Sequence, residues 1–434
     1  MSFSPFALSD HLILRDEPQY FDSYIVFDYQ KNLYHQADLP TLRILERLAE
    51  RSLCAQCISR LINELNADSS LERMAGLGWI SEDSSAVCDH SCKVTLQKPP
   101  NWVQGLPPEQ RPVAILTAPT TVTIIITQRC DLACVHCNVS ATSLKGPELI
   151  PLETWTTLLD ELERLKVFKV VLSGGEPFVY RDFDRLLDYF ARKRYLKSIL
   201  TNGTSATKEH VELMKRYNIS PTLSLDGGNA ETHDVFRRKP GAFASLLKTL
   251  GLLRDMDVPF NIVSVLHKGS ADQIRSIAEI AYRHFAGALY FLPLKAMGRG
   301  RSAQAWTPGV ETYLKVREDI ARIAPEFAGM SISFDEELDA DEFGPTRDKT
   351  RFHNTPYGYT TCMAGKNGLV VDDDGKAYGC MVSMQLKVNP VGSLLENSLE
   401  EIWRNGTWGI FREPVSHGCR ANMLHKLQTP KRKL

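Results

Sequence analysis

The sequence predicts an α/β chain centred on a partial (β/α)6 barrel with a smaller domain on each side. Three observations predict it. From Thr120 to about Gly300, short apolar β-rich runs alternate with amphipathic helical stretches, and on either side of that interval the alternation is missing. The length of 434 residues is enough for two to four domains. Short strands alternating with helices imply a parallel sheet joined by right-handed crossovers. Six such units are too few for a closed eight-unit barrel.

Leu12–Arg15, Ser23–Asp28 and Asn32–Tyr34 read as short strands. Leu39–Arg51 carries Leu42, Leu45, Leu48 and Ala49 at helical spacing, and Ala55–Leu65 and Ser69–Leu77 read as two further helices. Ser81–Pro119 reads as a linker, punctuated by Pro99, Pro100, Pro107 and Pro108. Barrel strands are expected at Val122–Ile126, Lys169–Leu172, Ser198–Leu200, Thr222–Leu225, Asn261–Leu266 and Leu289–Leu292. The helices between them are expected at Leu152–Leu165, Asp182–Lys193, Lys208–Tyr217, Phe243–Arg254 and Ala271–Phe285. Beyond Gly300, Thr312–Ile323 reads as a helix and the remainder as short strands and turns. The expected divisions are 1–80, a linker over 81–119, the barrel over 120–307, a bridging helix and loop over 308–352, and a last domain over 353–434.

Composition excludes several classes. Hydrophobic residues make up 43% and charged residues 24%, as in an ordinary globular protein. A formal net charge of -1 argues against a nucleic-acid binder that works through bulk positive charge. Asp10, Arg15, Asp16 and Glu17 interrupt any signal-peptide-like stretch, and no apolar run is long enough for a bilayer span. A cytoplasmic location is expected, with the ten cysteines kept as thiols and available as metal ligands.

The chemistry is concentrated at strand ends. Cys130, Cys134 and Cys137 follow the first barrel strand in the run Cys-Asp-Leu-Ala-Cys-Val-His-Cys. Three thiolates on one loop can hold an iron–sulfur cube at three of its four irons and leave the fourth open. A structural zinc site completed by His136 is the alternative. Gly174-Gly175-Glu176-Pro177 ends the second strand, where adjacent glycines permit close backbone approach and unusual φ. Thr201-Asn202-Gly203 ends the third strand and Ser224-Leu225-Asp226-Gly227 the fourth; each alone is also ordinary turn chemistry. His233-Asp234-Val235-Phe236-Arg237 follows, with Gly241 and Phe243 beyond it.

In this order and at these positions, the segments from residue 120 to about 300 resemble the radical S-adenosylmethionine (SAM) superfamily. The resemblance implies that Cys130, Cys134 and Cys137 hold a [4Fe–4S] cluster. It implies that Gly174, Gly175, Glu176 and Pro177 bind the SAM amino group. Asn202, Ser224 and Asp226 would contact ribose and carboxylate, and Arg237 would help hold the carboxylate. His136 is grouped with the cofactor-binding residues. One-electron cleavage of SAM would then yield a 5′-deoxyadenosyl radical, so no catalytic carboxylate is nominated. A flavodoxin or ferredoxin is the expected electron donor.

Cys362, Gly375-x-x-x-x-Cys380 and His417-Gly418-Cys419-Arg420-Ala421 resemble the SPASM/twitch extension of radical SAM enzymes that modify peptides. A complete SPASM domain has several more cysteines where this chain, from about Ile402 to Val415, has none. That departure argues for a single second, auxiliary [4Fe–4S] cluster on Cys362, Cys380 and Cys419. Its last iron would be open, or filled by His353 or His417. Three buried thiols without metal are the alternative.

Tyr24-Ile25-Val26-Phe27-Asp28, Leu33-Tyr34, the Leu39–Arg51 helix and Leu77-Gly78-Trp79-Ile80 resemble the PqqD-like peptide-recognition domain, a small winged helix with a three-stranded sheet. Its mode is strand addition by a leader peptide. A DNA-binding winged helix would need a more basic helix than either candidate, and a purely structural cap is a further alternative. Cys54-x-x-Cys57 and Cys88-x-x-x-Cys92, with His90, are either a metal site or, as preferred, core packing and linker thiols.

The expected whole is therefore a TIM-like partial barrel with an N-terminal winged-helix-like α+β domain and a C-terminal iron–sulfur auxiliary domain. The expected activity is radical modification of a ribosomally made precursor peptide, most simply an intramolecular cross-link of thioether, C–C or C–O type. Radical SAM chemistry on a small molecule such as a tetrapyrrole or aminoglycoside, and a metal-stabilised peptide-binding protein without radical activity, are the alternatives. No nucleic-acid or membrane partner is expected.

Overall fold

The structure, a computed structural model, describes residues 6–16, 24–28, 33–65, 67–83, 116–141, 147–334 and 364–412. The N-terminal segment begins with strands β1 (Phe6–Leu8), β2 (Leu12–Asp16), β3 (Tyr24–Asp28) and β4 (Leu33–Ala37). β2, β3 and β4 form an antiparallel meander. Helix α1 (Leu39–Glu50) starts where the Asp38 carboxylate accepts from the Thr41 N–H, and it buries Leu42, Ile44, Leu45 and Leu48. α2 (Ala55–Leu65) and α3 (Leu71–Gly76) complete the helical layer. Strand β5 (Ile80–Glu82) pairs back onto β1, so the domain runs two residues past the boundary expected at 80. Val26, Leu45, Ile58, Met74 and Trp79 form a core separate from the barrel's. Cys54 and Cys57 are buried in that core, and the Cys57 N–H donates to Cys54 Sγ at 3.4 Å. Cys88, His90 and Cys92, on which the metal-site alternative rests, lie outside the described residues, as does most of the expected linker.

The barrel strands are β6 (Thr121–Ile125), β7 (Lys169–Ser173), β8 (Leu196–Thr201), β9 (Ile219–Ser224), β10 (Asn261–Leu266) and β11 (Ala288–Pro293). Interleaved with them are α4 (Leu152–Arg164), α5 (Phe183–Ala191), α6 (Lys208–Arg216), α7 (Ala230–Arg237), α8 (Ala242–Asp255) and α9 (Ile274–Arg283). All six strands pair in parallel, so every strand end carrying a motif opens at one mouth. Two helices, not one, connect β9 to β10. α7 has too few apolar residues to announce itself by period, and the Asn229 side chain starts it by accepting from the Thr232 N–H. α9 is shorter than its apolar pattern, because Phe285 adopts φ +64° and ends the run.

The expected bridging segment contributes to the barrel. α10 (Val310–Ile323) leads into β12 (Ser331–Phe334), which pairs in parallel with β11 as a seventh strand. This edge strand is short, and alternately exposed rather than continuously apolar. At the opposite edge, β13 (Gly368–Val371) pairs in parallel with β6, and β14 (Lys376–Tyr378) and β15 (Gly392–Ser393) follow antiparallel. One ten-stranded sheet thus joins the barrel to the C-terminal domain. α11 (Met381–Leu386) follows Cys380, and α12 (Leu399–Asn405) packs on α4. The Glu161 carboxylate of α4 accepts from the Leu399 and Glu400 N–H groups at 2.9 and 3.0 Å, meeting the positive end of α12. Among the described residues no helix is long and apolar enough to cross a membrane.

The N-terminal domain docks on the barrel's other end. Ile13 and Phe27 join the barrel core, and the Phe27 and Phe168 rings stack at 4.8 Å. Buried Arg15 donates to the carbonyls of Ala118, Pro119 (3.0 Å) and Lys166 (3.4 Å) and lies over the Phe168 ring. These partners precede β6 and β7, so the joint lies at the strand starts, opposite the motif-bearing mouth. Arg15→Ala leaves these carbonyls unmet, at an expected cost of about 2–3 kcal/mol. Limited proteolysis should then cut near residue 80 several-fold faster while the barrel persists. An unchanged cleavage rate would show that Arg15 does not hold the joint.

Candidate functional site

The site forms where four strand ends meet the cysteine loop after β6. Cys130 and Cys134 are buried and Cys137 is half-buried. Each sulfur faces an N–H donor. Leu132 N lies 3.4 Å from Cys130 Sγ, Ala141 N 3.3 Å from Cys137 Sγ, and Arg237 Nη1 3.7 Å from Cys134 Sγ. Asn202 Nδ2 is a further 4.0 Å from Cys130 Sγ. Donors aimed at sulfur are what thiolate ligands of an iron–sulfur cluster use. Burial pushes the Cys130 thiol up to about 12 and raises Cys134, so neither ionises in isolation. A metal that replaces the proton removes that penalty. Among the described residues no three His, Cys, Asp or Glu side chains converge on a single ion. A cube is bound at separate irons, so its ligands need only line one surface.

The glycine pair closes on this loop. Gly174 sits at φ +150°, and a Cβ on it would lie 2.4 Å from the Thr127 carbonyl oxygen. A Cβ on Gly175 would lie 2.2 Å from the Arg129 carbonyl oxygen. The Gly175 and Glu176 N–H groups donate to those same carbonyls at 2.8 and 2.9 Å. The immediate reason for two glycines is thus contact with the cysteine-loop backbone. Buried Pro177 opens a tight turn behind them. Glu176 is fully buried and accepts from Thr201 Oγ1 and the Asn202 N–H, both at 2.8 Å, and from the Phe178 N–H at 3.3 Å. Burial outweighs these bonds and pushes its carboxyl up to about 7.

Asn202 donates to Asp131 at 2.9 Å. Asp131, inside the cysteine loop, also accepts from Thr204 at 2.5 Å and pairs with Lys239 at 2.7 Å. Burial would raise its carboxyl, but Lys239, Thr204 and Asn202 outweigh that and hold it low. Ser224 is half-buried at the end of β9, beside Val263. Asp226 is fully buried, 2.7 Å from Arg237 Nη2, and accepts from the Val265 N–H at 2.8 Å. The Arg237 guanidinium overcomes the burial penalty and keeps the Asp226 carboxyl below its usual range.

His136 stacks on Phe236 at 4.4 Å and turns Nε2 toward Asp226 at 3.7 Å; Phe236 stacks in turn on His267. Desolvation pushes His136 down to about 3 and His233 down to about 4, so both are neutral. The structure thus assembles Cys130, Cys134, Cys137, Glu176, Asn202, Asp226, Arg237 and His136 at one mouth.

Sequence reasoning missed Asp131, Lys239 and Gln128. Gln128 Nε2 reaches Asp372 and Asp373, both at 3.2 Å, and so ties the cysteine loop to the β13–β14 turn. Asp372-Asp373-Asp374-Gly375 carries a turn signal, but nothing local says that Asp372 is buried. Half-buried Cys380 caps α11, with its sulfur accepting from the Ser383 N–H. Cys362, Cys419, His353 and His417 lie outside the described residues. The nearest described residues do gather: the Gly365 N–H donates to Gly379 O, and Arg412 Nε donates to Gly365 O at 2.9 Å.

A cysteine loop backed by N–H donors, at the strand-end mouth of an open parallel barrel, is the arrangement an iron–sulfur enzyme of the α/β-barrel class would use. Comparison with known proteins gives the family. Residues 124–281 match the Radical SAM superfamily, and residues 362–422 match SPASM, an iron–sulfur cluster-binding domain. The chain carries both domains and is a radical SAM enzyme; SAM and a [4Fe–4S] cluster are its cofactors, and its SPASM domain binds auxiliary iron–sulfur chemistry.

Relatives include the AdoMet-dependent heme synthase of Methanosarcina barkeri, 28% identical over 69% of this chain and 86% of the relative. The mycofactocin maturase MftC of Mycolicibacterium smegmatis is 29% identical over 71% and 76%. AlbA, the antilisterial bacteriocin subtilosin biosynthesis protein of Bacillus subtilis, is 28% identical over 69% and 61%. Streptococcus suis SuiB bound to precursor peptide SuiA has the same fold over 98% of both chains, with TM-score 0.71 at 16% identity.

Proposed function

We propose that the protein modifies a ribosomally made precursor peptide by SAM-derived radical chemistry, forming an intramolecular cross-link. The observation that carries the radical reading is the gathering of three N–H-backed cysteines, the Gly174–Gly175 contact and the Asp226–Arg237 pair at one barrel mouth. Cys130, Cys134 and Cys137 would hold the cluster. Gly174, Gly175, Glu176 and Pro177 would take the SAM amino group, with Asn202 and Ser224 toward ribose and carboxylate. Arg237, held by Asp226, would complete the carboxylate site, and His136 would wall it. When bound, the cluster and SAM supply one-electron cleavage of the sulfonium bond and hence a 5′-deoxyadenosyl radical. The chain's own residues orient these groups and keep water out of a largely buried floor.

Cys362, Cys380 and Cys419 would hold one auxiliary [4Fe–4S] cluster. An open iron there suits a substrate thiolate, which favours a thioether over a C–C or C–O bond. The N-terminal domain would bind the leader in the PqqD-like manner, by strand addition to its three-stranded sheet. A flavodoxin or ferredoxin would supply electrons in the reducing cytoplasm. The heme synthase relative favours a second reading, chemistry on a small tetrapyrrole-like molecule. Against it stands an N-terminal domain that such a substrate does not require, within an architecture shared end to end with a protein crystallised with its precursor peptide.

The test is anaerobic iron and sulfide per chain, and 5′-deoxyadenosine after reduction with SAM, for wild type and a Cys130/Cys134/Cys137→Ala variant. About eight irons in wild type, about four in the variant and nucleoside from wild type alone are expected. Zinc in place of iron, or no nucleoside from loaded wild type, would sink the radical reading. Adding the peptide of a neighbouring short reading frame, with and without its core cysteines, tests the rest. Modification at the same carbon without cysteine would rule out the thioether.

A further inference from the structure

One arginine grips the cysteine loop from outside the motifs. Arg299 lies on the short turn Gly298–Ser302, just beyond β11. Its Nε donates to the Cys134 carbonyl at 3.0 Å and its Nη1 to the Ala141 carbonyl at 2.6 Å. Its backbone N–H donates to the Cys137 carbonyl at 2.9 Å. Gly298, at φ +51°, makes the approach possible: a Cβ there would lie 2.4 Å from the carbonyl oxygens of both Cys137 and Asn138. The grip therefore spans the loop from its second cysteine to beyond its third.

Among the described residues the charge of Arg299 is unmatched. Its Nη2 is buried with no hydrogen-bond partner among them, and the guanidinium makes no ion pair with them, unlike Arg237 with Asp226. No Asp or Glu occurs between Gly287 and Val310, whereas Lys295, Arg299 and Arg301 do. A cation pressed on a loop of three thiolate ligands calls for an anion, and a thiolate-ligated iron–sulfur cluster is one.

We propose that Arg299 is a positioning residue for the cluster: it clamps the loop bearing Cys134 and Cys137 and supplies a positive charge that favours the reduced cluster. This rests on the reading that the three cysteines hold that cluster. Reduction adds one electron, taken from an external donor that is oxidised by one electron, and no bond is made or broken. A neighbouring cation stabilises the more negative state more strongly and so raises the potential.

The test uses the full chain, purified anaerobically, as wild type, Arg299→Gln, Arg299→Lys and the exposed control Arg301→Gln. Iron is counted, and the clusters are titrated with dithionite under EPR. The signal altered by SAM identifies the radical-generating cluster. In Arg299→Gln the ratio of reduced to oxidised cluster at fixed potential should fall about tenfold, a midpoint about 59 mV lower for a one-electron couple. Arg299→Lys should keep the midpoint but lose iron to a chelator several-fold faster, because an ammonium cannot fork two carbonyls. Arg301→Gln should do neither. A wild-type midpoint in Arg299→Gln would overturn the charge role. If Arg299→Gln holds no iron, chelator loss from Arg299→Lys at the wild-type rate would overturn the clamp. Wild type without iron would sink the cluster reading itself, and this inference with it.

Discussion

Gly175→Ala is expected to abolish formation of 5′-deoxyadenosine and to empty the cysteine loop of iron. The added methyl carbon would sit 2.2 Å from the Arg129 carbonyl oxygen and 2.7 Å from its carbon. Both are backbone atoms, one residue before Cys130, so relief requires moving the loop itself. The N–H bonds from Gly175 and Glu176 that hold Thr127 and Arg129 would be strained at the same time. A displacement of about 1 Å at a reacting centre costs on the order of 10²-fold in rate. Three ligands displaced together would cost more, and iron should fall by the radical site's share. Gly251→Ala is the control. It lies on α8 with nothing within 4 Å of a built Cβ, and there the change should stabilise by about 0.5–1 kcal/mol. Nucleoside formation at the wild-type rate in Gly175→Ala would show that the loop does not depend on this contact.

Asp226→Asn is expected to give the largest loss of stability of any isosteric change at the site. Asp226 is fully buried and Arg237 is 6% exposed, so the variant leaves a guanidinium inside without its counter-charge. Breaking a buried pair from one side costs about 3–5 kcal/mol. For a domain of this size that is a fall of about 10 °C in Tm. Neither neighbouring histidine can take over, because His136 and His233 are neutral and would be repelled by Arg237 if charged. The pH dependence has a definite sign. The folded Asp226 carboxyl is held below its ordinary range, so its stabilisation is complete above that range and is lost as pH falls from there through the lower folded value. The variant should lack this acid-side loss. Thermal unfolding of both proteins between neutral and acid pH checks this, and a Tm within 2–3 °C of wild type at neutral pH, which at roughly 2–4 °C per kcal/mol is only about 1 kcal/mol, would refute it.

The constellation at the mouth was legible because each of its parts is a short-range signal. Cysteine spacing, a glycine pair and Asn or Asp at a strand end are local choices, and parallel strands place all such ends on one side. The six barrel strands could be read for the same reason, since apolar runs and helical periods declare themselves within a dozen residues. What the residues do to one another could not be read. Glu176 turned out to brace the end of β8 as well as to stand near the cysteine loop. Asp226 turned out to be the counter-charge of Arg237.

The sequence alone determined the fold class, the three-thiol loop and the order of motifs along the barrel. Only the tertiary structure decided what meets across long separations. Arg15 reaches Pro119, Thr120 bonds to Asn367, Gln128 reaches Asp372, and Arg299 grips the loop of Cys134. Ser331–Phe334 and Gly368–Val371 join opposite edges of one sheet although neither carries a strong strand pattern. Period and composition report which face of an element is apolar. Partners are chosen by which surfaces are left to be covered once the barrel strands have assembled, and that choice is recorded only in the packed chain.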